Sequence, residues 1–415
     1  MERFVSIILS LSLAFGAAAR TLTVRPYSSM SSVAGAIRSA LAGDTVLVYP
    51  GVYYEKGLIV DKPILLKGIG RPILDGEHRY EIVTIKSNGV TMEGFVIRHS
   101  GYSGWNDLAG IRLTAVKHVV IRDNELDDTF FGLYCQNSDS CVLANNILHS
   151  RADSSAQPGN GIHCWHCTAM QILNNTITRH RDGIYFEFVT GSLIRGNKSF
   201  YNVRYGLHFM FSHNDRYMSN IFDHNEAGVS VMFSHGVDMQ DNLFADNQGG
   251  GAYGILLKEI TDSRVMGSRF QHNTVAIYME GTTRVRIEKN TFRDNGWAIR
   301  IQASCSADTI CRNDFFGNTF DVATNGSLVL NNFDRNYWDK YEGYDLNRDG
   351  YGDVPYHPVS LYAMVAEKNP AAMLLYHSFM VDLLDRTEKV APGVTPADLV
   401  DHFPAMKPGI INSNP

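Results

Sequence analysis

Gly183-Ile184-Tyr185-Phe186-Glu187-Phe188 alternates apolar and polar positions among β-branched and aromatic residues, which is the period of a strand and not of a helix. It is one copy of many. A glycine or alanine followed by an aliphatic residue recurs as Gly110-Ile111, Gly132-Leu133, Gly161-Ile162, Gly183-Ile184, Gly206-Leu207, Gly228-Val229, Gly254-Ile255, Ala276-Ile277 and Ala298-Ile299. The steps between these pairs are 22, 29, 22, 23, 22, 26, 22 and 22 residues. A second register runs through Asn124, Asn146, Asn175, Asn197, Asn220, Asn242, Ser268, Asn290 and Asn313, and a third through Asn202, Asn225, Asn247, Asn273, Asn295 and Asn318. Three registers in phase are the mark of a stacked repeat.

Short strands at this period, with no helical stretch between them, predict an all-β solenoid: a parallel β-helix in which each turn hydrogen-bonds to the next. Equivalent side chains then stack about 4.8 Å apart. Asparagine suits a repeated turn position because it tolerates left-handed φ and its amide can bond to the amides above and below. The two long steps predict loops bulging from single turns, Arg151 to Asn160 and Gln248 to Ala252.

With 415 residues and 44% hydrophobic content the chain can bury a large core, and one elongated domain with an appendage is the expectation. A net charge of −6 argues against a nucleic-acid surface, which would need a basic stripe. Arg3, the apolar run Val5 to Phe15 and Ala17-Ala18-Ala19 predict an export signal over residues 1–19, with the apolar run too short to span a bilayer. The mature chain then occupies an oxidising compartment. Residues 20–335 form the β-helix and residues 336–415 an acidic loop, a helix and a tail.

Taken in order, the mature chain opens on a strand, Thr21 to Val24, and a short amphipathic helix, Ser31 to Leu41, suited to capping the first turn. Strands of irregular early turns are expected at Thr45 to Val48, Gly57 to Val60, Ile64 to Leu66 and Val90 to Ile97. After Asn318 the period fades. Ala371 to Arg386 has helical spacing, and Pro392 to Pro415 is expected to be an extended tail that either wraps the helix or waits for a partner.

Gly206-Leu207-His208-Phe209-Met210-Phe211-Ser212-His213, Ile277-Tyr278-Met279-Glu280-Gly281, Gln302-Ala303-Ser304-Cys305, Thr319 through Ser327, and Asn336-Tyr337-Trp338 through Tyr362 lie outside the bare repeat pattern. In these strings the chain closely resembles the NosD family, periplasmic proteins for maturation of nitrous oxide reductase. The resemblance covers nearly the whole mature chain. It implies a non-enzymatic periplasmic accessory of an ABC transporter that helps to load copper into the reductase. The implied partners are the transporter's membrane subunit, a copper chaperone lipoprotein and nitrous oxide reductase itself. It also implies a right-handed helix, as does the usual hand of parallel crossovers.

Strand alternation supplies candidate ligands independently. If the residue after each glycine faces in, so do Cys164, Phe186, Phe209, Val231, Leu257, Met279 and Ile301 two positions on. His163, Tyr185, His208 and Ser230 then form one outward column, Trp165, Glu187, Met210 and Met232 a second, and Thr168, Thr190, His213 and His235 a third. His208, Met210, His213, Met232 and His235 thus fall on two adjacent turns. Thioether and imidazole suit Cu(I), and a methionine pair on a strand face has no packing reason unless something covers it. The plainer alternative is that the methionines lie under a loop or partner.

Parallel β-helices also carry glycosidic chemistry, which needs paired carboxylates about 5 to 9.5 Å apart. The outward columns offer Glu187 and Glu280 four turns apart, roughly 19 Å. A carbohydrate lyase, epimerase or glycosidase is therefore the weaker reading, as is a carbohydrate-binding surface built on Trp165 and Tyr185. Six cysteines are present. Cys135 with Cys141, and Cys305 with Cys311, each flank one bend and are candidate disulfides in an oxidising compartment. Cys164 and Cys167 form a C-x-x-C beside His163 and His166; a metal site, a buried thiol pair, and a Cys135–Cys164 bridge between turns all remain open. Finally, Asp345, Asn347, Asp349, Tyr351 and Asp353, with glycine at position 6, have the oxygen spacing of a Ca²⁺ loop. Tyr356 stands where an EF-hand places its bidentate glutamate. An acidic turn bonded to its own backbone is the alternative.

Overall fold

The computed structural model describes residues 19–409 apart from residues 104, 152–158, 327–329, 377, 382 and 385–398. The expected export signal up to residue 18, most of the loop at 151–160 and part of the tail lie outside the described residues. The strands form three parallel sheets of 14, 13 and 12 strands, here called the first, second and third. Apart from the first pair of the first sheet, neighbours within each sheet are three strands apart in sequence, so each turn gives one strand to each sheet. This is the parallel β-helix that the repeat predicts.

The glycine register holds residue for residue. Ile111, Leu133, Ile162, Ile184, Leu207, Val229, Ile255, Ile277 and Ile299 are successive partners in the third sheet, and all are fully buried. Glycine before them is a matter of space. A Cβ on Gly183 would lie 2.6 Å from the Gly206 carbonyl oxygen of the next turn and 2.0 Å from Ser199 Oγ. In the second sheet Phe222, Phe244, Phe270, Phe292, Phe315 and Trp338 stack down the core with centroids 5.5, 4.8, 4.9, 4.7 and 4.1 Å apart.

The asparagines work differently from the expectation of left-handed φ. In the first ladder the left-handed residue is the one before: Asp123 (φ 57°), Asn145 (55°), Asn174 (53°), Ser219 (54°) and Asp241 (54°). That residue turns the chain outward, and the asparagine then points in. Asn197 Oδ1 accepts from the Asn175 backbone N–H at 2.9 Å and side-chain amide at 3.0 Å, while Asn197 Nδ2 donates to the Ile172 carbonyl at 2.8 Å and to Asn220 Oδ1 at 3.0 Å. Buried corner backbone, which would otherwise lack partners, is satisfied by a continuous amide ladder.

Both ends are capped. The N-terminal helix is Val33–Ser39, shorter than expected, with Ser32 as N-cap and Val33, Ala36 and Ile37 on the core. At the other end the main helix is Leu361–Lys368, upstream of the expected Ala371 to Arg386, and a 3₁₀ segment Pro370–Leu375 follows it. Tyr362, Ala363 and Ala366 pack with Phe320 and Ala323. The tail returns to the β-helix at Asp401, which is fully buried. It accepts from the backbone N–H of Arg335 (3.1 Å), Asn336 (2.9 Å) and Phe403 (3.2 Å), from Asn336 Nδ2 (3.1 Å) and from Trp338 Nε1 (3.1 Å). Asp401 is the last rung of the asparagine ladder. The tail thus completes the ladder: the Asn336 backbone N–H ends on Asp401, and its side-chain amide bonds to Asp401 and to the Ile310 carbonyl (3.0 Å).

Candidate functional site

The five candidate copper ligands separate into three groups. Met210 ends the strand Tyr205–Met210 and Met232 ends Ala227–Met232. They are direct partners in the third sheet and are half-buried on its outer face. The Tyr185 hydroxyl donates to Met210 Sδ at 3.7 Å and to Glu187 Oε2 at 3.4 Å, which fixes the thioether from the turn below. The column continues from Met232 to Lys258 and Glu280, whose ion pair spans 3.1 Å. Around the corner His213 and His235 form a second pair. Their rings stack at 4.0 Å and 20°, and His213 Nδ1 accepts from the His235 backbone N–H at 3.2 Å. Burial, and then the facing His235, hold the His213 imidazole below its ordinary pKa, which favours the neutral, metal-ligating form.

His208 is the correction. It lies on the outer face as the alternation requires, yet only 5% of it is exposed. Tyr185 and Tyr205 cover it with ring centroids 4.9 and 4.7 Å away, and its Nδ1 is 3.7 Å from Asp182 Oδ2. The covering rings come from the turn below and from the start of its own strand, which a residue-by-residue alternation does not weigh. Ser230, expected outside in the same column, is also buried. Asp182 beneath is fully buried and receives Arg204 through two hydrogen bonds, 2.9 and 2.7 Å. Burial raises the Asp182 carboxyl, but His208, Arg204 and Arg181 outweigh it and hold the group below the ordinary carboxylate range.

Between the two pairs lies an aromatic stripe absent from the sequence reading. Phe188, Phe211 and Phe233 occupy left-handed corner positions (φ 54°, 48° and 53°) and remain 41%, 37% and 38% exposed. Their rings stack at 5.3 and 5.1 Å, and His166 extends the stack onto Phe188 at 4.6 Å. Each follows the outward column of Trp165, Glu187, Met210 and Met232 by one residue, which was signal enough to find it. The methionines therefore lie beside a solvent-facing apolar strip with an imidazole pair on its far side.

The six cysteines are free and buried. Cys305 precedes the strand Ser306–Cys311, which Cys311 ends. The left-handed corner at Ala307 (φ 58°) lies between them and both thiols are free, so the expected pairing is not formed. Cys135 and Cys141 are likewise unbonded; Cys135 is instead the direct strand partner of Cys164. Burial pushes the Cys164 thiol well up, with Cys135 and Cys167 in hydrogen-bonding contact, while Cys164 in turn lowers Cys167. The C-x-x-C thus faces the core, with Cys167 Sγ donating to the Cys135 carbonyl at 3.5 Å.

In the acidic loop the side chains converge on backbone donors. Asp345 accepts from the N–H groups of Arg348 (2.6 Å), Asp349 (3.2 Å) and Gly350 (2.9 Å); Asn347 accepts from Asp349 N–H (2.9 Å), and Asp353 from Leu346 N–H (2.6 Å). Gly350 sits at φ 90°, as the sharp turn requires. Tyr351 pairs with Ala405 of the returning tail.

The profile of the family described as "Periplasmic copper-binding protein (NosD)" matches residues 149–347. A protein of Pseudomonas aeruginosa named "Probable ABC transporter binding protein NosD" is 29% identical over 373 residues, 85% of this chain and 86% of the relative. A protein of Stutzerimonas stutzeri with the same name is 25% identical over 86% of each. Among solved structures, the A-module of a mannuronan C-5 epimerase from Azotobacter vinelandii aligns with TM-score 0.52 and 15% identity, covering 73% of this chain and 94% of the module. A Yersinia enterocolitica family 28 exopolygalacturonase gives 0.52 and 10% over 76% and 78%. At such identities these two likenesses speak for the β-helix fold alone. The profile and the two named relatives together bear out the resemblance: the chain is similar to the NosD family, described as periplasmic copper-binding proteins.

Proposed function

We propose that this protein is a non-enzymatic periplasmic accessory in copper-site maturation of nitrous oxide reductase, taking Cu(I) as cargo on the outer face of the third sheet. The observation that carries the proposal is the in-register pair Met210 and Met232, flanked by the exposed Phe188, Phe211 and Phe233 stripe. Two thioethers one strand apart suit Cu(I) and few other ions. Apolar rings beside them give a donor or acceptor protein something to cover, so the ion changes hands in a desolvated contact. His213 and His235 stand ready as exchange ligands across the stripe; His208, enclosed by tyrosines, is not a ligand. A copper chaperone lipoprotein and the reductase are the partners for this face.

The epimerase and glycosidase reading has less support. Asp182, the buried acid of the same sheet, is held ionised by Arg204, whereas an acid catalyst needs a carboxyl kept protonated.

Competition against a chromogenic Cu(I) chelator tests the cargo site. Met210→Ala with Met232→Ala weakens Cu(I) roughly tenfold or more, and His208→Ala leaves it unchanged; parent-like affinity in the double variant removes the site. For the transporter, Leu374, Phe379 and Met380 are 89%, 81% and 59% exposed on the C-terminal cap. They form the docking surface for the membrane subunit, and Phe379→Ser with Met380→Ser abolishes co-purification with it while the melt is kept. Residues 1–19 are removed on export, which the intact mass of the periplasmic protein checks. The loop carboxylates of Asp345, Asp349 and Asp353, with Asn347 and the Tyr351 carbonyl, hold a structural Ca²⁺. A chelator then lowers the melting temperature, and an indifferent melt with no calcium by elemental analysis rules it out.

A further inference from the structure

The corner between the second and third sheets carries a different set of ligands. Here the inward asparagines are Asn202, Asn225, Asn247, Asn273, Asn295 and Asn318, joined by amide bonds such as Asn225 N–H to Asn247 Oδ1 (3.0 Å) and Asn273 N–H to Asn295 Oδ1 (3.0 Å). The residue just before each takes left-handed φ and points out: His224 (50°), Asp246 (51°), His272 (52°) and Asp294 (54°). Turn-to-turn backbone bonds fix each one, from His224 N–H to the Ala245 carbonyl (3.2 Å), Asp246 to Gln271 (3.0 Å), His272 to Arg293 (3.2 Å) and Asp294 to Phe316 (3.0 Å). Four consecutive turns thus alternate imidazole and carboxylate along one edge.

Left-handed φ favours histidine, asparagine and aspartate, which could produce such a column without any ligand. That preference explains Asp123, Asn145, Asn174 and Asp241 at the first-ladder corner, yet left-handed positions elsewhere also hold Phe188, Phe211, Phe233, Lys289 and Arg312, and on this edge Tyr201 precedes the run, so the preference alone does not dictate imidazole and carboxylate in alternation. The side-chain geometry is also that of a chelate. The ligating atoms of Asp223, His224 and Asp246 all lie within 4.8 Å of one another. His224 Nδ1 meets Asp223 Oδ1 at 2.7 Å, which leaves Nε2 free to donate its lone pair. On the next turn His272 Nδ1 is 3.5 Å from Asp246 Oδ1, and its Nε2 is 3.7 Å from Asp294 Oδ2. The His224 and Asp246 side chains line a cleft that Glu226 also borders. Nearer the N-terminus the same corner repeats the chemistry with His78, His99 and Asp128, whose ligating atoms again lie within 4.8 Å.

We infer that this edge is a second metal site, for a divalent cation of the Zn²⁺ or Cu²⁺ class, held by His224 and Asp246, with Asp223 orienting the His224 imidazole, and extended by His272 and Asp294. Nitrogen and oxygen donors select a borderline divalent ion, whereas the methionine face selects Cu(I). The two sites occupy different faces of the same turns and do not share a residue.

The test uses the purified full-length protein and Zn²⁺, which is redox-silent, in competition with a chromogenic indicator. His224→Asn and Asp246→Asn keep residues that tolerate left-handed φ, and circular dichroism verifies the fold. The pair of substitutions is expected to weaken Zn²⁺ on the order of tenfold or more, while Met210→Ala with Met232→Ala binds Zn²⁺ as the parent does. Absence of Zn²⁺ binding by the parent, parent-like binding by the doubly substituted edge, loss that follows His99→Asn instead, or equal displacement by Ca²⁺ would each overturn the assignment. Because the methionine variant is read with Cu(I) and the edge variant with Zn²⁺, failure of one site is distinguishable from failure of the other.

Discussion

The inside and the outside of the solenoid obey the same register and put it to opposite uses. Inside, one chemistry repeats: from Asn124 through Asn336 the first ladder keeps an amide or hydroxyl at every rung, and Asp401 closes it. Outside, along the adjacent strand column, the chemistry varies from Trp165 to Glu187, the Met210 and Met232 pair, Lys258 and Glu280. Inner rungs depend on their neighbours for satisfied hydrogen bonds, so uniformity is what stability demands there. Outer rungs face solvent and need only fit the strand, which leaves each turn free to carry its own ligand. A solenoid of this kind holds its chemistry by address: the turn and the face.

The contrast breaks most visibly at the end of the ladder. Truncation after residue 398 removes Asp401 and leaves the Arg335 and Asn336 backbone N–H groups and the Trp338 indole without this acceptor, while the Asn336 amide keeps only the Ile310 carbonyl. Each buried unsatisfied donor costs about 1–3 kcal/mol, so the loss approaches the whole stability of a domain. A collapsed melt is expected, with Asp401→Asn retaining most of the fold because it keeps an acceptor. A truncated chain that melts like the parent would mean that the ladder needs no terminal rung.

A smaller effect comes from paired substitutions on one turn and the next, one inside and one outside. Asn220→Ala strips the acceptor from the Asn197 amide and backbone N–H, bonds of 3.0 and 2.9 Å, and the donor from the Ile194 carbonyl. A cost of about 3 kcal/mol follows. Met232→Ala, half-buried on the outer face, costs about 1 kcal/mol or less. Urea unfolding of the two variants decides whether the inside and outside differ as described; equal midpoints would erase the distinction.

How much of this was legible in the sequence follows the same line. The inward columns, the strand register and the Met210–Met232 pairing could be read directly, because each depends only on the period and on strand alternation. The asparagine rungs were visible but their geometry was not, since the left-handed residue is the one before. His208 was misplaced because its cover comes from Tyr185 and Tyr205, and a column sees one residue per turn. Asp401 could not be found by period, being 65 residues beyond the Asn336 it completes. The histidine and aspartate edge, one residue ahead of the Asn202 register, is hidden for a simpler reason: its residue type changes from turn to turn, so no single residue repeats with the period.

Asp215 is the inner rung that departs from the rule, and it offers the finest test. Its Oδ1 accepts from the Ser192 N–H at 2.7 Å, as an asparagine would, but its Oδ2 is buried with no partner. Burial, opposed only by the bonds from Ser192, pushes the Asp215 carboxyl up to about 8. Between the ordinary carboxylate value and about 8 the native state holds a proton that the unfolded chain has released, so this group's contribution is present at low pH and is lost as pH rises. His163 and His180 act in the other direction. Burial lowers both to about 3, so from the ordinary histidine value downward the unfolded chain binds the extra protons and stability falls with falling pH. The groups offset one another below about pH 6.5. Asp215→Asn keeps the acceptor for Ser192 and removes one side of that balance. Its stability relative to the parent, from urea unfolding, is expected to climb from pH 4 to pH 8 and then level off, by about 1.4 kcal/mol per pH unit at most. The variant's own stability should fall on acidification below pH 6.5 more steeply than the parent's. A difference between the two proteins that stays flat across that range would mean that Asp215 is ionised in the fold, and that an inner rung tolerates a charge.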